Sequence, residues 1–323
     1  MNTKNNNLLR LWYDKPAEDW QTQALAIGNG YMGALVFGGV NNDKIHINEK
    51  TVWEGGPGGN ISYNYGITNP IDTEEDLQKI KENLNAIREK LEDKSQYVFG
   101  FDENSYQASG TDTKGEAMDE LNKLMGDLTG YEAPTDYANL YISNDQDASK
   151  VSNYVRDLDM RTAVATVNYD YEGVHYTREY FNSYPDNIMA IRLSADANGK
   201  ISFKANLENL IGGSAYTNTI DGDTITMCDA LSGNGLKAEA QLKVINEGGS
   251  LSVSENNGTP VLCISDADAV TLLFACGTDY KMELPDFRGE DPHAAVTNRI
   301  HAAAQKGYEA LKAAHTADHA ALF

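Results

Sequence analysis

The sequence predicts a mostly β fold: a large sandwich of antiparallel sheets with one helical excursion and a helix at its C-terminal end. Three observations point there. Apolar and polar residues alternate with period two in many short runs, turn residues separate the runs at short intervals, and few helical patterns intervene. Strands continue from residue 31 to residue 276 with no linker between them, which favours one large sandwich over two domains.

The first strands are expected at 32–38 and 45–48, joined by a hairpin that Gly38-Gly39 and Asn41-Asn42 suit. Residues 60–135 read as an excursion folded over one end of the sandwich. Within it Leu77, Ile80, Leu84, Ile87 and Leu91 follow helical spacing after a capping-box-like start at Thr73 and Asp76. A second helix at 114–128 gathers Met118, Leu121, Leu124 and Met125 on one side, with the polar stretch 97–113 between the two. The sandwich resumes where Ala163, Ala165, Val167, Tyr169 and Tyr171 share a face, and Glu172-Gly173 turns the chain into a strand at 174–181. Met189, Ile191, Leu193 and Ala195 alternate next; Asn198-Gly199 supplies a hairpin turn into Ile201, Phe203, Ala205 and Leu207. Further strands are expected at 224–227, 238–244, 251–254 and 261–264. Residues 270–275 are apolar except for Thr271, as in a strand covered on both faces. Asp291-Pro292 places an N-cap before a proline and opens an Ala-rich helix, broken at Gly307. From about Ala313 the tail is expected to fray, because its apolar residues lack a surface.

Composition narrows the function. With 41% hydrophobic and 23% charged residues the chain can bury a core. No run approaches the ~20 apolar residues of a membrane helix. Forty-eight acids against 26 bases give a net charge of −22, which excludes nucleic acid as a partner, since that binding needs Lys and Arg to replace counterions. Cys228, Cys263 and Cys276 are an odd number without CxxC spacing; Cys263 and Cys276 sit in apolar runs as buried, reduced thiols. Residues 1–9 carry three consecutive Asn and no apolar centre, unlike a secretory leader. A cytoplasmic protein and a secreted one without its leader both remain open.

No cofactor or metal is expected. Gly28-Asn29-Gly30-Tyr31-Met32-Gly33 fits GxGxxG, with Glu49 downstream, but a strand follows it where a dinucleotide site needs a helix N-terminus. His315 and His319 are four apart beside Asp318 but lack a third ligand, so they read as a solvated helix face. Asp14, Glu18, Asp19, Glu49 and Glu54 cluster near Trp12, Tyr13, Trp20 and Trp53, a mixture that suits sugar stacking as well as packing or interface anchoring.

Several stretches together resemble the opening of the α-L-fucosidases of glycoside hydrolase family 95. They are Leu11-Trp12-Tyr13-Asp14-Lys15-Pro16-Ala17, the run from Ile27 to Gly39, Ile47-Asn48-Glu49-Lys50-Thr51-Val52-Trp53-Glu54-Gly55-Gly56-Pro57, Arg156-Asp157-Leu158-Asp159, the run from Tyr176 to Pro185, and His315-Thr316-Ala317-Asp318. The likeness departs most over 60–135, and His319 stands where the family more often has an aromatic residue. The resemblance implies an N-terminal β-supersandwich over 1–285 and, at 286–323, the start of a helical linker to an (α/α)₆ catalytic barrel. It implies an inverting hydrolysis of terminal L-fucose, or of a related sugar such as L-galactose, by barrel residues. No position here matches those catalytic motifs, so no catalytic residue is carried over. Candidate interface or sugar contacts are Asn48, Trp53, Glu54 and Tyr63. Three readings follow: an accessory domain that supports the barrel and is inactive alone, a carbohydrate-binding module for fucosylated glycans using aromatics such as Trp53 or Tyr63, and a domain that is itself catalytic through a carboxylate pair.

Overall fold

A computed structural model describes residues 9–55, 73–92, 100–102, 105–109, 119–121, 131–213, 215–256, 258–283 and 287–323. They fall into two compact units, Met1–Glu54 with Ala133–Phe323, and Gly55–Glu132. Among the described residues the first unit holds two large antiparallel sheets. One has nine strands in the order Arg10–Tyr13, Val151–Asp159, Val164–Tyr171, Val174–Ser183, Ile188–Ala195, Ala269–Thr278, Lys237–Glu247, Thr224–Ala230 and Thr217–Asp221. The other has seven: Ser250–Asn256, Thr259–Ala267, Ile201–Asn209, Ala138–Ser143, Asn42–Glu49, Met32–Val36 and Leu25–Gly28. The mostly β antiparallel sandwich expected from the alternation is the fold observed.

Alternation decides which way each strand faces. In Ile201–Asn209 the residues Ile201, Phe203, Ala205 and Leu207 are buried while Ser202, Lys204 and Glu208 are exposed. Those buried residues meet Ala165, Val167, Tyr169, Leu193, Leu242 and Phe274 of the facing sheet in one core. Each large apolar side chain so buried contributes about 1.5–3 kcal/mol. Val270, Leu272, Phe274 and Cys276 also face this core. Leu273 and Ala275 point the other way and are equally buried, because helices His293–Lys306 and Tyr308–Leu322 cover them. Val296, Ile300, Ala303, Tyr308 and Leu311 form this second core with Phe181, Ile188 and Ala190. This run, apolar but for Thr271, is therefore a strand covered on both faces, as its composition suggests.

Turns follow their residues, with one correction. Glu172 (φ 49°) and Gly173 (φ 81°) close a two-residue hairpin in which Tyr171 pairs with Val174. The turn at 38–42 is fixed from below: buried Asp43 accepts from the Gly38 and Gly39 amides at 2.8 and 3.1 Å, from Arg178 at 3.3 Å and from the Tyr180 hydroxyl at 2.5 Å. Arg178 in turn donates to the Gly39 and Val40 carbonyls, both at 2.7 Å. A Cβ on Gly39 would lie 2.1 Å from the Asn42 carbonyl oxygen, so that position excludes larger residues. Asn198-Gly199 is not a hairpin turn. Ile188–Ala195 pairs with Ala269–Thr278 in one sheet, whereas Ile201–Asn209 pairs with Thr259–Ala267 and Ala138–Ser143 in the other. The Gly199 amide donates to Asp268 Oδ1 at 2.8 Å as the chain crosses between layers. Two strands that share a core show the same alternation whether they lie side by side or face to face.

The tail also departs from expectation. The Asp291 carboxylate accepts from the His293 amide at 3.1 Å and Gly307 (φ 78°) separates the two helices, both as expected. Past Ala313, however, the second helix continues to Leu322 on the nine-stranded sheet. The buried His315 ring stacks on Phe181 (centroids 4.9 Å apart) and its Nε2 donates to the Ala163 carbonyl at 3.2 Å. His319 Nε2 donates to the Met160 carbonyl at 2.7 Å. These histidines lie against the sheet, not on a solvated face. Cys276 is buried, while Cys263, expected to be, is only half-buried; all three cysteines are free thiols.

In the second unit, helix Glu74–Glu92 begins with a reciprocal cap: the Thr73 amide donates to Asp76 Oδ2 at 3.1 Å and the Asp76 amide to Thr73 Oγ1 at 3.2 Å. Ile87 is buried on its apolar side. Gly100–Asp102 pairs with Ser105–Ser109, and Lys90 is salt-bridged to Glu120 at 2.6 Å. Residues 119–121 are helical; the rest of the helix expected at 114–128 lies outside the described residues. No helix among the described residues is long and apolar enough to cross a membrane.

Candidate functional site

Three turns at one end of the sandwich are tied together by the buried Asn29 amide and by the Lys50 backbone amide. Gly28 pairs with Gly33, and Gly30 (φ 80°) lets the chain reverse between them. Asn29, buried inside this turn, accepts from the Tyr31 and Met32 amides at 3.0 and 2.9 Å. Its own amide group donates to the Ser183 carbonyl at 3.0 Å and so locks the turn to the segment after Val174–Ser183. A strand follows these glycines, so the apparent dinucleotide motif is a hairpin.

The third turn follows Asn42–Glu49. The Glu49 carboxylate accepts from the Thr51 amide at 2.7 Å and from its hydroxyl at 2.5 Å, and the Lys50 amide donates to the Tyr31 carbonyl at 3.0 Å. The Thr51 hydroxyl also meets Thr278 Oγ1. Burial pushes the Glu49 carboxyl above its usual value, against the opposing pull of the two Thr51 hydrogen bonds.

These constraints place aromatic rings on the surface. Tyr31 and Tyr184 stack with centroids 6.0 Å apart, and the Lys50 ammonium stands 4.0 Å from the Tyr31 ring centroid. Trp53 is 49% exposed, its indole N–H donating to the Lys50 carbonyl at 2.9 Å and its own carbonyl accepting from Asn234 at 2.8 Å. Glu54 Oε1 accepts from Thr135 at 3.2 Å. Trp12 and Trp20 are exposed too, so none of the three tryptophans serves as core packing.

The structure thus brings Trp53 and Glu54 to this end and holds both by their neighbours. Asn48 is exposed, opposite Gly33 in the sheet register and one residue before inward-facing Glu49. Tyr63 lies outside the described residues. Tyr31, Lys50 and Tyr184 were not singled out from the sequence, though all three fall inside the stretches that carry the family resemblance. The Glu49 and Glu54 carboxylates are engaged with threonines. What the cluster offers is a rigid aromatic and cationic contact surface.

The fold and this loop end define a large antiparallel β-sandwich domain of the kind that carries its contacts on end loops. Residues 11–283 match the family described as glycosyl hydrolase family 65, N-terminal domain, and the chain belongs to that family. It is 28% identical to alpha-L-fucosidase 2 of Arabidopsis thaliana over 98% of this chain and 36% of that protein. It is 27% identical to probable alpha-fucosidase A of Aspergillus niger over 97% of this chain and 37% of that one. The chain therefore spans little more than a third of the length of these relatives. A putative kojibiose phosphorylase from the human microbiome shares the fold, with a TM-score of 0.54 at 10% identity over 97% of this chain and 38% of that one. The family and the fold agree with the N-terminal β-sandwich domain that the resemblance implied.

Proposed function

We propose that this chain is the accessory domain, residues 1–285, of a family 95 α-L-fucosidase-like enzyme, with residues 286–323 starting the linker to an (α/α)₆ catalytic barrel. On this reading the loop end, with Asn48, Trp53 and Glu54, faces that barrel, Tyr63 remains a contact candidate from the sequence alone, and the parent enzyme removes terminal L-fucose from glycans. The observation that carries the proposal is the pairing of relatives named α-fucosidases, matched over nearly all of this chain and about a third of theirs, with exposed aromatics held rigidly at one end. Exposed aromatic anchors favour contact with another surface, and the carboxylates beside them are engaged in holding the turns.

Hydrolysis tests the reading. The purified chain is expected not to turn over an aryl α-L-fucoside. Turnover that is lost on replacing one of its own carboxylates would make the domain catalytic in its own right.

A further inference from the structure

We infer that a groove on the outer face of the nine-stranded sheet, beside helix Tyr308–Leu322, is a binding site for neutral oligosaccharides. The groove encloses about 400 Å³, within the range of small-molecule clefts. It is distinct from the loop end, and the inference does not rest on the reading given for that end.

Strand geometry fixes what faces the groove. Tyr13 stacks against Arg156, which is fully buried on the core side, with the guanidinium 4.5 Å from the ring centroid. Their neighbours in sequence, Trp12 and Asp157, therefore stand on the opposite, outer face, where they are directly cross-strand. Asp157 is buried at the groove floor and accepts from Thr166 at 2.8 Å, and the adjacent Asn168 donates to Thr166 at 3.3 Å.

The charges match in pairs. Arg10 meets Asp157 at 2.5 Å, Arg161 meets Asp159 at 2.7 Å, and Lys312 meets Glu179 at 2.5 Å. Three cations and three carboxylates line one cleft and balance each other locally. An anion would have to displace a carboxylate from one of these pairs, against the field of a chain of net charge −22. A neutral polyol needs no such exchange. Adjacent sugar hydroxyls donate to a carboxylate's remaining lone pairs and accept from the paired guanidinium or ammonium, so a pair is used without being broken. Trp12, 63% exposed on this same face, supplies an apolar ring for the C–H side of a sugar.

Calorimetry and tryptophan fluorescence on this chain test the site with lactose, maltotriose and a fucosylated lactose, against glucuronate and inorganic phosphate as charged probes. At least one neutral probe is expected to bind saturably with Kd of about 1 mM. Trp12→Ala should weaken it about threefold to tenfold, by the loss of ring stacking. Thr316→Phe, which fills the groove mouth, should abolish it, and Trp53→Ala should leave it unchanged. Thr316 in the groove lining and Trp12 beside it, cross-strand from Asp157, are partly and largely exposed, and matching unfolding midpoints will show that the variants fold. The site is refuted if no neutral probe binds up to about 20 mM, if only the charged probes bind, or if binding survives both groove variants. A preference for the fucosylated probe would still support the site and would add a link to the parent's substrate; binding lost only in Trp53→Ala would refute the groove and move the site to the loop end.

Discussion

The turn at 38–42 and the loop end at Tyr31, Lys50, Tyr184 and Trp53 draw on neighbouring stretches of sequence and similar side chains, and end up opposite in character. Under the first, Asp43, Arg178 and Tyr180 close on one another and on backbone groups, and all three are buried. In the second the rings stack and the ammonium sits over one of them, yet Tyr31, Tyr184 and Trp53 are between 39% and 55% exposed. A polar group sealed inside a protein holds the fold; an aromatic group held rigid at the surface is available for contact. Stability measurements separate the two roles.

The largest effect is expected at the sealed cluster. Asp43→Ala leaves the Arg178 guanidinium buried without its carboxylate and should cost about 3–5 kcal/mol in equilibrium denaturation. A loss under about 1 kcal/mol would mean that water or a neighbour replaces the carboxylate. Leu311→Ala, in the second core, should cost about 2–5 kcal/mol. If its loss proves negligible, the tail is not packed on the sheet as described.

A smaller effect should follow acidification. Burial holds the His315 imidazole below its usual value of 6.5, so the folded tail keeps this ring neutral. Above that pH the ring is neutral in both states and makes no difference. As pH falls below 6.5 the undocked tail takes up the proton first, and docking weakens. Amide exchange in Tyr308–Leu322, corrected for intrinsic rate, should speed up relative to Ala269–Thr278 between about pH 7.5 and about pH 5.5, and His315→Gln should remove the difference. An unchanged ratio would place the ring in solvent.

The smallest stability effects belong to the loop end. Trp53→Ala and Tyr184→Ala, on exposed side chains, should each stay within about 0.5 kcal/mol. A loss of about 2 kcal/mol or more would turn the cluster into a structural element and erase the contrast.

Much of the fold was legible because burial on one face imposes alternation, and strands such as Ile201–Asn209 show it without interruption. The Ala138–Ser143 strand escaped notice although it is central in the seven-stranded sheet: buried Asn139 breaks its pattern, and it directly follows the helical excursion. Asn198-Gly199 was misread because alternation reports which face is buried and not which strand lies alongside. Arg156 and Arg178 look like surface residues in sequence; only the structure reveals the backbone carbonyls to which they donate. The loop end was half visible. Trp53 stands out by type, whereas Tyr31 and Tyr184 become partners only through the Asn29 amide that joins their turns.

Titration of the chain with L-fucose and with a fucosylated oligosaccharide, wild type against Trp53→Ala, tests most directly whether the loop end is a docking surface or a sugar site. The docking account predicts that neither ligand binds tightly and that any weak binding is the same in both proteins. Tight, saturable binding that disappears in Trp53→Ala would contradict it and make this end of the sandwich a carbohydrate-binding site.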